Sequence, residues 1–498
     1  MFIKTLSIKN LRCFSDETID SFNVPDGSTP ASGLNIFIGE NGSGKTTILE
    51  AINFLTQSSY TSNNLMDISD FKDMEQEISV SYISSQNFKC KMPPVYHGGY
   101  YEANGIKFVA KPREKKSPGK LLSPPFQVSA TFSNITTNYM SAAGQDSGKP
   151  IIDYFRAFNA ESIDGDDLNI FYFDKNRTRQ LTQGNYKTTF ERICDDLNWR
   201  FVKTLNSDTT KKQAIIDSLG GDYFQQAKDA AQSGVGKKVA DDLAAFLNDT
   251  KYKNLKLDII NYLRPFSSGQ LALREDDSLL QIMSKDLGSG IEMIIAMLML
   301  KNINNASKGR IVYLIDEPEA HLHPKAQKEL LKLLIEESKD KQIFLSTHSP
   351  YIFKDAINRN PGLYIFKRDT SDAVTITDAN NTGFGHFPWS PSWGEVNFSA
   401  YDLPTVELHN ELYGFIQEQT GNTTESQLET YFVSKSVAQG KQWIRLSSGT
   451  PQPAHNTTLY TYIRNKIHHP ENTHNADYTD TELRQSIAEM LSLIEAGL

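Results

Sequence analysis

The segment at residues 39–46, which reads Gly-Glu-Asn-Gly-Ser-Gly-Lys-Thr, constrains the fold of this 498-residue chain more than any other feature. It satisfies the pattern GxxxxGK[ST] and lies between an apolar, β-branched run at residues 34–38 and a helical pattern at residues 45–55. Glycines let backbone N–H groups turn inward around a phosphate, and the helix that follows presents its positive end to it. The sequence therefore predicts a strand, a loop and a helix that bind phosphate.

The side chains of this loop predict how a nucleotide and its metal are held. Lys45 is expected to neutralise the β- and γ-phosphate oxygens, and Thr46 is expected to ligate magnesium. The other residues that we predict to contact the nucleotide here are Gly39, Asn41, Gly42, Ser43, Gly44 and Thr47.

Polar residues also follow two later apolar runs, at 311–315 and 343–345. An Asp at the end of a strand can hold a magnesium shell through water, so Asp316 is the second predicted metal residue. The adjacent Glu317 is predicted to polarise the attacking water, and His348 is predicted to contact the γ-phosphate and sense its loss.

These segments resemble the Walker A, Walker B with D-loop, and switch-histidine motifs of the SMC, RecF and OLD branch of ABC ATPases. Residues 286–292, Asp-Leu-Gly-Ser-Gly-Ile-Glu, resemble the signature motif of that branch, although its commoner spelling is LSGGQ. The resemblance implies ATP and Mg²⁺ as cofactors and a head-to-head homodimer in which Ser289 and Gly290 reach the partner's nucleotide. It also implies a nucleotide contact for Arg12, for which surface solvation is the alternative, and leaves Gln76 as the candidate Q-loop residue.

The resemblance implies an α/β fold, with an ABC-ATPase head that has a mixed sheet and is split in sequence, a helical insertion, and a mainly helical C-terminal module. The predicted boundaries are 1–91 for the first half of the head, 92–270 for an insertion of strands and then helices, 271–372 for the second half, and 373–498 for the C-terminal module. The amino terminus alternates like an edge strand, residues 187–262 read as charged helical segments, and 404–419 and 479–496 read as helices.

The composition of the chain limits which partners and which cellular compartment are expected. The net charge of −9 argues against a chain that coats nucleic acid with its whole surface, and a mean hydropathy of −0.45 without an apolar window of membrane length predicts a cytoplasmic protein with no membrane span. Cys13, Cys90 and Cys194 form no ligand pattern and fit a reducing compartment. A local basic strip is either a nucleic-acid contact or a solvated loop between strands. It consists of Lys107, Lys111, Arg113, Lys115, Lys116 and Lys120. A second basic group lies at 174–179.

The C-terminal residues resemble a narrower group. Segments 392–398, 408–414 and 462–472 are similar to phage-defence ATPases, namely the PtuA subunits of Septu and related retron systems, with the PARIS ATPase as a near rival. This resemblance implies a slow or regulatory ATPase that assembles into higher homo-oligomers and restrains a separate nuclease effector. We find no Toprim or HNH pattern in the C-terminal residues, so any cutting is expected of another chain.

Two other functions stay open at this stage. Arg464, with Asn465, and His469 fit the Rx4H spelling of HEPN ribonucleases, which predicts an ATP-regulated ribonuclease in which the Arg steadies phosphate charge and the His transfers protons. A RecF-like DNA-repair ATPase is the remaining alternative, and it predicts ATP turnover that DNA stimulates.

Overall fold

The computed structural model of the chain describes the following residues: 1–57, 60, 65–91, 100–113, 126–134, 156–157, 163, 167–174, 237–247, 255–261, 269–275, 281–283, 289–304, 310–320, 322–369, 373–381 and 384–498. They divide into two compact units. The first holds Met1–Gly362 and Arg368–Thr375, and the second holds Leu363–Lys367 and Ile376–Leu498.

The first unit mixes strands and helices. Its described strands are β1 (Ile3–Leu11), β2 (Phe14–Ile19), β3 (Leu34–Gly39), β4 (Ile78–Lys91), β5 (Tyr100–Pro112), β6 (Phe126–Ser133), β7 (Arg156–Ala157), β8 (Asn169–Phe173), β9 (Leu255–Asn261), β10 (Gly269–Glu275), β11 (Gln281–Met283), β12 (Ile311–Asp316) and β13 (Gln342–Thr347). Its described helices are α1 (Lys45–Asn53), α2 (Lys237–Leu247), α3 (Ser289–Asn304), α4 (Pro324–Glu337) and α5 (Pro350–Ile357), with 3₁₀ turns at Phe54–Thr56 and Ile68–Asp70. None of the helices within the described ranges is long and apolar enough to cross a membrane.

An antiparallel sheet begins at the amino terminus, with the strand order β2-β1-β4-β5-β6-β7. The prediction of an edge strand at the start of the chain was wrong, because β1 pairs on both sides: Leu6 is opposite Ile19 of β2 and also opposite Tyr82 of β4. An alternating strand can lie inside a sheet when only one face of that sheet is buried, so alternation alone did not identify the edge.

The predicted nucleotide-binding strands form a parallel arrangement. Strands β3, β13, β12 and β8 follow one another, and each neighbouring pair is parallel. Every residue of β3, β12 and β13 is buried, as expected of strands that are covered on both faces. Because parallel strands end at the same edge of a sheet, the polar residues that follow β3, β12 and β13 are brought together.

Residues 92–270, predicted as an insertion, contribute to both sheets. Strands β5 and β6 extend the antiparallel sheet, and β8 pairs with β12 in the parallel one. The prediction of helix up to residue 262 was wrong at β9, where apolar and polar residues alternate from Leu255 to Asp258 and pair antiparallel with β10. The predicted domain boundaries themselves stay predictions.

Strands β14 (Gly362–Arg368) and β15 (Val374–Asp378) occupy the part of the chain where one unit gives way to the other. The C-terminal residues then form α6 (Trp393–Tyr401), α7 (Val406–Thr420), α8 (Glu425–Ser434), α9 (Leu459–His468) and α10 (Asp480–Glu495), with short strands at Lys441–Trp443, Leu446–Ser447, Thr450–Pro451 and His455–Thr457. This confirms a mainly helical C-terminal module, including the helices predicted at 404–419 and 479–496.

The ends of these helices follow from the sequence. Each of the five helices begins after a Ser or Thr whose hydroxyl accepts a backbone N–H of the first turn: Ser392, Thr405, Thr424, Thr458 and Thr479. The apolar faces that follow pack into one buried core, which includes Leu408, Leu412, Phe432, Ile463 and Ile487. Capping fixes where the helices begin, and burial of the apolar faces fixes which sides meet.

Candidate nucleotide site

The glycine-rich loop requires glycine for steric reasons. Gly42 has φ 75° and Gly44 has φ 96°, both in the left-handed region. A Cβ on Gly44 would lie 2.5 Å from the ring of Phe14 and 2.7 Å from the sulfur of Cys13. The loop therefore turns tightly between β3 and α1, as a phosphate-binding loop does, and side chains would close it.

Lys45 lies at the first turn of α1 and is buried. Its Nζ donates to the backbone carbonyl of Gly39 at 2.8 Å and to that of Glu40 at 2.7 Å. The ammonium group is thus held within the loop by the backbone that would surround a phosphate. Ser43 and Thr47 are also buried, whereas Asn41 is exposed on the outside of the loop.

The two predicted metal residues meet across 270 positions of sequence. The hydroxyl of Thr46 donates to Oδ2 of Asp316 at 3.0 Å, and the hydroxyl of Ser346 also donates to the Asp316 carboxylate. Hydroxyl and carboxylate oxygens are hard donors of the kind that Mg²⁺ takes, and Mg²⁺ usually keeps several waters beside one or two protein ligands. The residues present therefore fit a magnesium ion.

The predicted general base and the predicted phosphate sensor face each other. Nε2 of His348 lies 3.5 Å from Oε1 of Glu317, and both side chains are about a quarter exposed, at 27% and 28%. Glu317 has φ 47°, and its backbone N–H donates to the carbonyl and the hydroxyl of Ser346, each at 3.1 Å. Because Ser346 binds both Glu317 and the neighbouring aspartate, the end of β13 orients the end of β12.

Sequence reasoning missed Glu319, which lies two residues after the predicted base Glu317 and received no role. Oε1 of Glu319 accepts the backbone N–H of His348 at 2.6 Å, and its carboxyl also accepts the hydroxyl of Thr347. Burial raises the pKa of this carboxyl, hydrogen bonds oppose the shift, and the charge of Glu317 adds to it. The signal available in sequence was a second acidic residue two positions after the predicted base.

Tyr172 was also missed, because nothing in sequence connects a tyrosine in a strand to motifs more than a hundred residues away. It lies on β8, opposite Leu314 of β12. Burial raises the pKa of Tyr172, and the nearby carboxylates of Asp316 and Glu50 raise it further. The phenol is therefore a neutral group beside the metal residues.

Arg12 lies beside the loop helix and has two carboxylate partners. Its Nε donates to Asp70 at 2.7 Å, and its Nη1 pairs with Glu50 of α1. Burial would lower the pKa of Arg12, but the hydrogen bonds and charges of the two carboxylates raise it. Gln76 is exposed in the turn before β4, and its side chain donates to Asp73 at 3.0 Å. Both predicted roles stay predictions.

The signature motif is described only in part. Ser289 and Gly290 are the first two residues of α3, with Gly290 buried, while residues 284–288 and the Ser289 side chain lie outside the described residues. The start of a helix is where backbone N–H groups are free to donate to an anion, which suits the predicted role.

Of the predicted basic strip, the structure describes three residues. Lys107 and Lys111 are exposed on β5, with Lys111 Nζ 3.2 Å from Glu77, and Arg113 is exposed just after the strand. Lys115, Lys116, Lys120, residues 175–179 and Cys194 lie outside the described residues. The strip stays a possible nucleic-acid contact.

The residues of the ribonuclease alternative lie in the C-terminal unit. Arg464 is on α9, and its Nη1 donates to Oδ1 of Asn465 at 3.0 Å. His469 directly follows α9, and its Nδ1 lies 3.3 Å from Oε1 of Glu471. Arg464, Asn465 and His469 line one cavity of that unit, here called the C-terminal cavity.

A glycine-rich loop after a parallel strand, with a hydroxyl and carboxylates at the ends of neighbouring strands, defines a P-loop nucleotide-binding protein. The pattern of the AAA ATPase domain family matches residues 1–91 and 151–353, which is more than half of the chain. The chain belongs to the AAA ATPase domain family.

The relatives support the same branch. OLD nuclease of Thermus scotoductus is 27% identical over 385 residues, covering 75% of this chain and 64% of that protein. Retron Vc95 probable ATPase of Vibrio cholerae is 21% identical over 406 residues, covering 70% of this chain and 75% of that protein. RecF of Streptococcus gordonii is 35% identical over 80 residues, which are 16% of this chain and 20% of RecF. The resemblance to the SMC, RecF and OLD branch is confirmed, and the chain spans under two thirds of the OLD nuclease.

Among solved structures, this chain is similar to the SMC head bound to the C-winged helix domain of ScpA. The match covers 76% of this chain and 98% of that chain, with 14% identity and a TM-score of 0.46. The α/β fold with a mixed arrangement of parallel and antiparallel strands is established by the strand pairing itself.

Proposed function

We propose that this chain binds ATP and Mg²⁺ between two copies of its head, hydrolyses the ATP slowly, and uses nucleotide occupancy as a switch on a separate nuclease effector in an antiphage defence complex. The observation that carries the ATPase part is the meeting of Thr46, Asp316, Glu317 and His348 at the ends of strands that are distant in sequence. The defence part rests on similarity to relatives that are named as a nuclease and a retron ATPase.

The chemistry is assigned to residues of this chain. Thr46 and Asp316 would hold Mg²⁺, which neutralises charge on the phosphate oxygens when bound. Lys45 binds the β- and γ-phosphates. The Glu317 carboxylate accepts the proton of the attacking water at Oε1, and His348, 3.5 Å away, orients that carboxylate and contacts the γ-phosphate.

The second copy completes the site. The first turn of α3, at Ser289 and Gly290, donates to the γ-phosphate bound by the partner. An arrangement of this kind hydrolyses ATP only when two heads close on each other. Assembly of the dimer therefore limits the rate of ATP turnover, and bound ATP marks the closed state. We expect this assembly in the cytoplasm, with higher homo-oligomers built from the dimers.

The test compares the wild-type chain with Glu317→Gln and the matched control Glu329→Gln, each purified with a tag from its own operon. With Mg²⁺ and ATP, Glu317→Gln should hydrolyse at least about 100-fold more slowly and accumulate a dimer or larger species in mass photometry. The control should behave as wild type. A nuclease subunit should co-purify with all three.

Each part of the proposal has its own contradiction. If the Glu317→Gln variant stays monomeric in the presence of ATP, the result contradicts a site shared by two copies. A dimer that purifies without a nuclease contradicts the proposal of a separate effector and favours the RecF-like alternative. ATP turnover that DNA stimulates would support that alternative.

A further inference from the structure

A glutamine on α4 joins the two loops that carry the predicted general base and the predicted phosphate sensor. Gln327 lies in the first turn of α4 and is partly buried. Its Nε2 donates to the backbone carbonyl of Glu319 at 3.4 Å and to that of Leu322 at 3.0 Å. Its Oε1 accepts the hydroxyl of Ser349 at 2.9 Å. One side chain therefore ties the chain after β12 to the residue that follows His348.

The side chain of Gln327 completes a ring of contacts around the backbone of His348. Oε1 of Glu319 accepts the backbone N–H of His348 at 2.6 Å, and the carbonyl of the same Glu319 accepts from Gln327. Gln327 in turn accepts from Ser349, the neighbour of His348 in sequence. The position of His348 is thus fixed from two sides, through its own N–H and through the side chain of the next residue.

The contacts of Gln327 require a donor and an acceptor at the end of the same side chain. Backbone carbonyls can only accept, so they fix the NH₂ group of the amide towards Glu319 and Leu322, and the amide oxygen towards Ser349. A glutamate would turn a negative charge towards two carbonyl oxygens, and a methionine of similar length would offer no donor. Either replacement therefore loses both contacts to the carbonyls.

The bridge starts from a helix that is anchored in the core. Helix α4 is capped by His323, whose Nδ1 accepts the backbone N–H of Lys325 at 3.3 Å. Three leucines of the helix, Leu330, Leu331 and Leu334, are buried. A side chain on a packed helix holds its partners more precisely than one on a loop. The bridge can therefore fix the two loop segments that it joins.

We propose that Gln327 is a positioning residue for ATP hydrolysis, and that it holds His348 in place beside Glu317 by locking the chain after β12 to the chain after β13. The inference rests on the proposed function, because it assumes that Glu317 and His348, 3.5 Å apart, serve the hydrolysis of ATP. A misplacement of about 1 Å near reacting atoms costs about 100-fold in rate. Gln327 acts through the loops and not on the nucleotide, so it affects the rate of hydrolysis and not the affinity for ATP.

The test measures hydrolysis of ATP and binding of a fluorescent ATP analogue separately, in the full chain with Mg²⁺. Gln327→Met should lower kcat by about 10- to 100-fold, as expected for a group that orients an active-site side chain. The Kd of the analogue should stay within about 2-fold of wild type, because Lys45 and the glycine-rich loop are unchanged. Gln327→Glu keeps the acceptor for Ser349 and should also lower kcat. Lys332→Leu changes an exposed residue of the same helix and should behave as wild type.

A double-mutant cycle distinguishes positioning from a general loss of structure. If Gln327 acts through His348, Gln327→Met should lower kcat by less than about 2-fold in a His348→Ala background, whereas independent effects would multiply. Wild-type kcat in both Gln327 variants overturns the inference. A full further loss of kcat in the His348→Ala background also overturns it, as does a loss of ATP affinity as large as the loss of kcat.

The same variants separate this inference from the proposed function. Wild-type hydrolysis in His348→Ala contradicts the role assigned to His348 in the proposed function, and the positioning role of Gln327 with it. An impaired His348→Ala beside unimpaired Gln327 variants overturns the positioning role alone and leaves the nucleotide site as proposed.

Discussion

The nucleotide site and the C-terminal cavity gather their residues in opposite ways. In the nucleotide site, Thr46 and Asp316 are 270 positions apart and meet because parallel strands end at one edge. In the C-terminal cavity, Arg464, Asn465 and His469 lie within six positions, on and just after one helix. The first site carries a sequence pattern that its backbone geometry demands. The second carries a short spacing that occurs often by chance, and only the fold shows that its residues share a cavity.

The two sites also differ in how their polar groups are satisfied. In the nucleotide site, Asp316 accepts hydroxyls from Thr46 and Ser346, so the protein orients the carboxylate by itself. In the C-terminal cavity, Nδ2 of Asn465 has no hydrogen-bond partner among the described residues. The Asp316 carboxylate is held ready for a metal through satisfied contacts, although Oε2 of Glu319 in the same site also has no partner among the described residues.

Removing the loop lysine should have the largest effect, and this effect should be confined to the nucleotide site. Lys45→Ala deletes the charge that neutralises the phosphates, so ATP hydrolysis should fall by roughly 100-fold or more. Phosphate release measures this effect. Lys332→Ala removes an exposed lysine of α4 and serves as the control. Hydrolysis at the wild-type rate in Lys45→Ala would remove the nucleotide site from the mechanism.

A smaller effect is expected from Glu319, which touches the loop of His348 and not the reacting atoms. Glu319→Ala leaves the backbone N–H of His348 without its acceptor, and should lower hydrolysis by roughly 10- to 100-fold, the range for groups that orient an active-site residue. Glu319→Gln keeps an acceptor oxygen and should retain most of the activity. If alanine and glutamine lower the rate equally, the carboxyl acts through its charge and not through position.

In the C-terminal unit the corresponding buried group affects stability. Burial lowers the pKa of His409 to about 3, with a contribution from the charge of His468, and its Nε2 lies 3.0 Å from the hydroxyl of Ser486. The unfolded chain has a histidine pKa of about 6.5, so it binds more protons than the folded chain between these values. The contribution of His409 to the free energy of unfolding is therefore fully present above about pH 6.5 and is lost as the pH drops below that value.

The expected size is about 1 kcal/mol of unfolding free energy between pH 7.5 and pH 5.5. Denaturant unfolding followed by tryptophan fluorescence measures it in the wild type and in His409→Gln, which cannot titrate. The variant should lack this part of the pH dependence, and His474→Gln, which changes an exposed histidine, should keep it. An unchanged pH dependence in His409→Gln would show that the buried ring is not the source.

The sequence was sufficient for the parts that local chemistry determines. The loop with Gly42 and Gly44, the strands before Asp316 and His348, and the C-terminal helices at 404–419 and 479–496 were all predicted, because each depends on residues within one turn or strand. Strand neighbours were not predictable in the same way. That β8 pairs with β12, and that β1 is not an edge, depend on pairing between distant segments.

The same reason explains the residues that sequence reasoning missed. Glu319 became notable because its carboxyl reaches the backbone of His348, and Tyr172 because β8 lies against β12. Asn465 was part of the Rx4H pattern, but the absence of a partner for its Nδ2 among the described residues is visible only in three dimensions. Spacing in sequence predicts which residues belong to a loop or strand end, whereas hydrogen bonds between elements require the fold.

The central claim is that ATP is hydrolysed in a site shared by two copies, and a mixing experiment tests it most directly. Lys45→Ala inactivates the loop of one copy, and Ser289→Arg blocks the donors of the other. Each variant alone should be inactive. Mixed in equal amounts, they should recover a substantial fraction of wild-type hydrolysis, because a mixed dimer keeps one site with an intact loop and intact donors. Activity of Ser289→Arg alone, or no recovery in a mixture that forms dimers, would contradict the shared site.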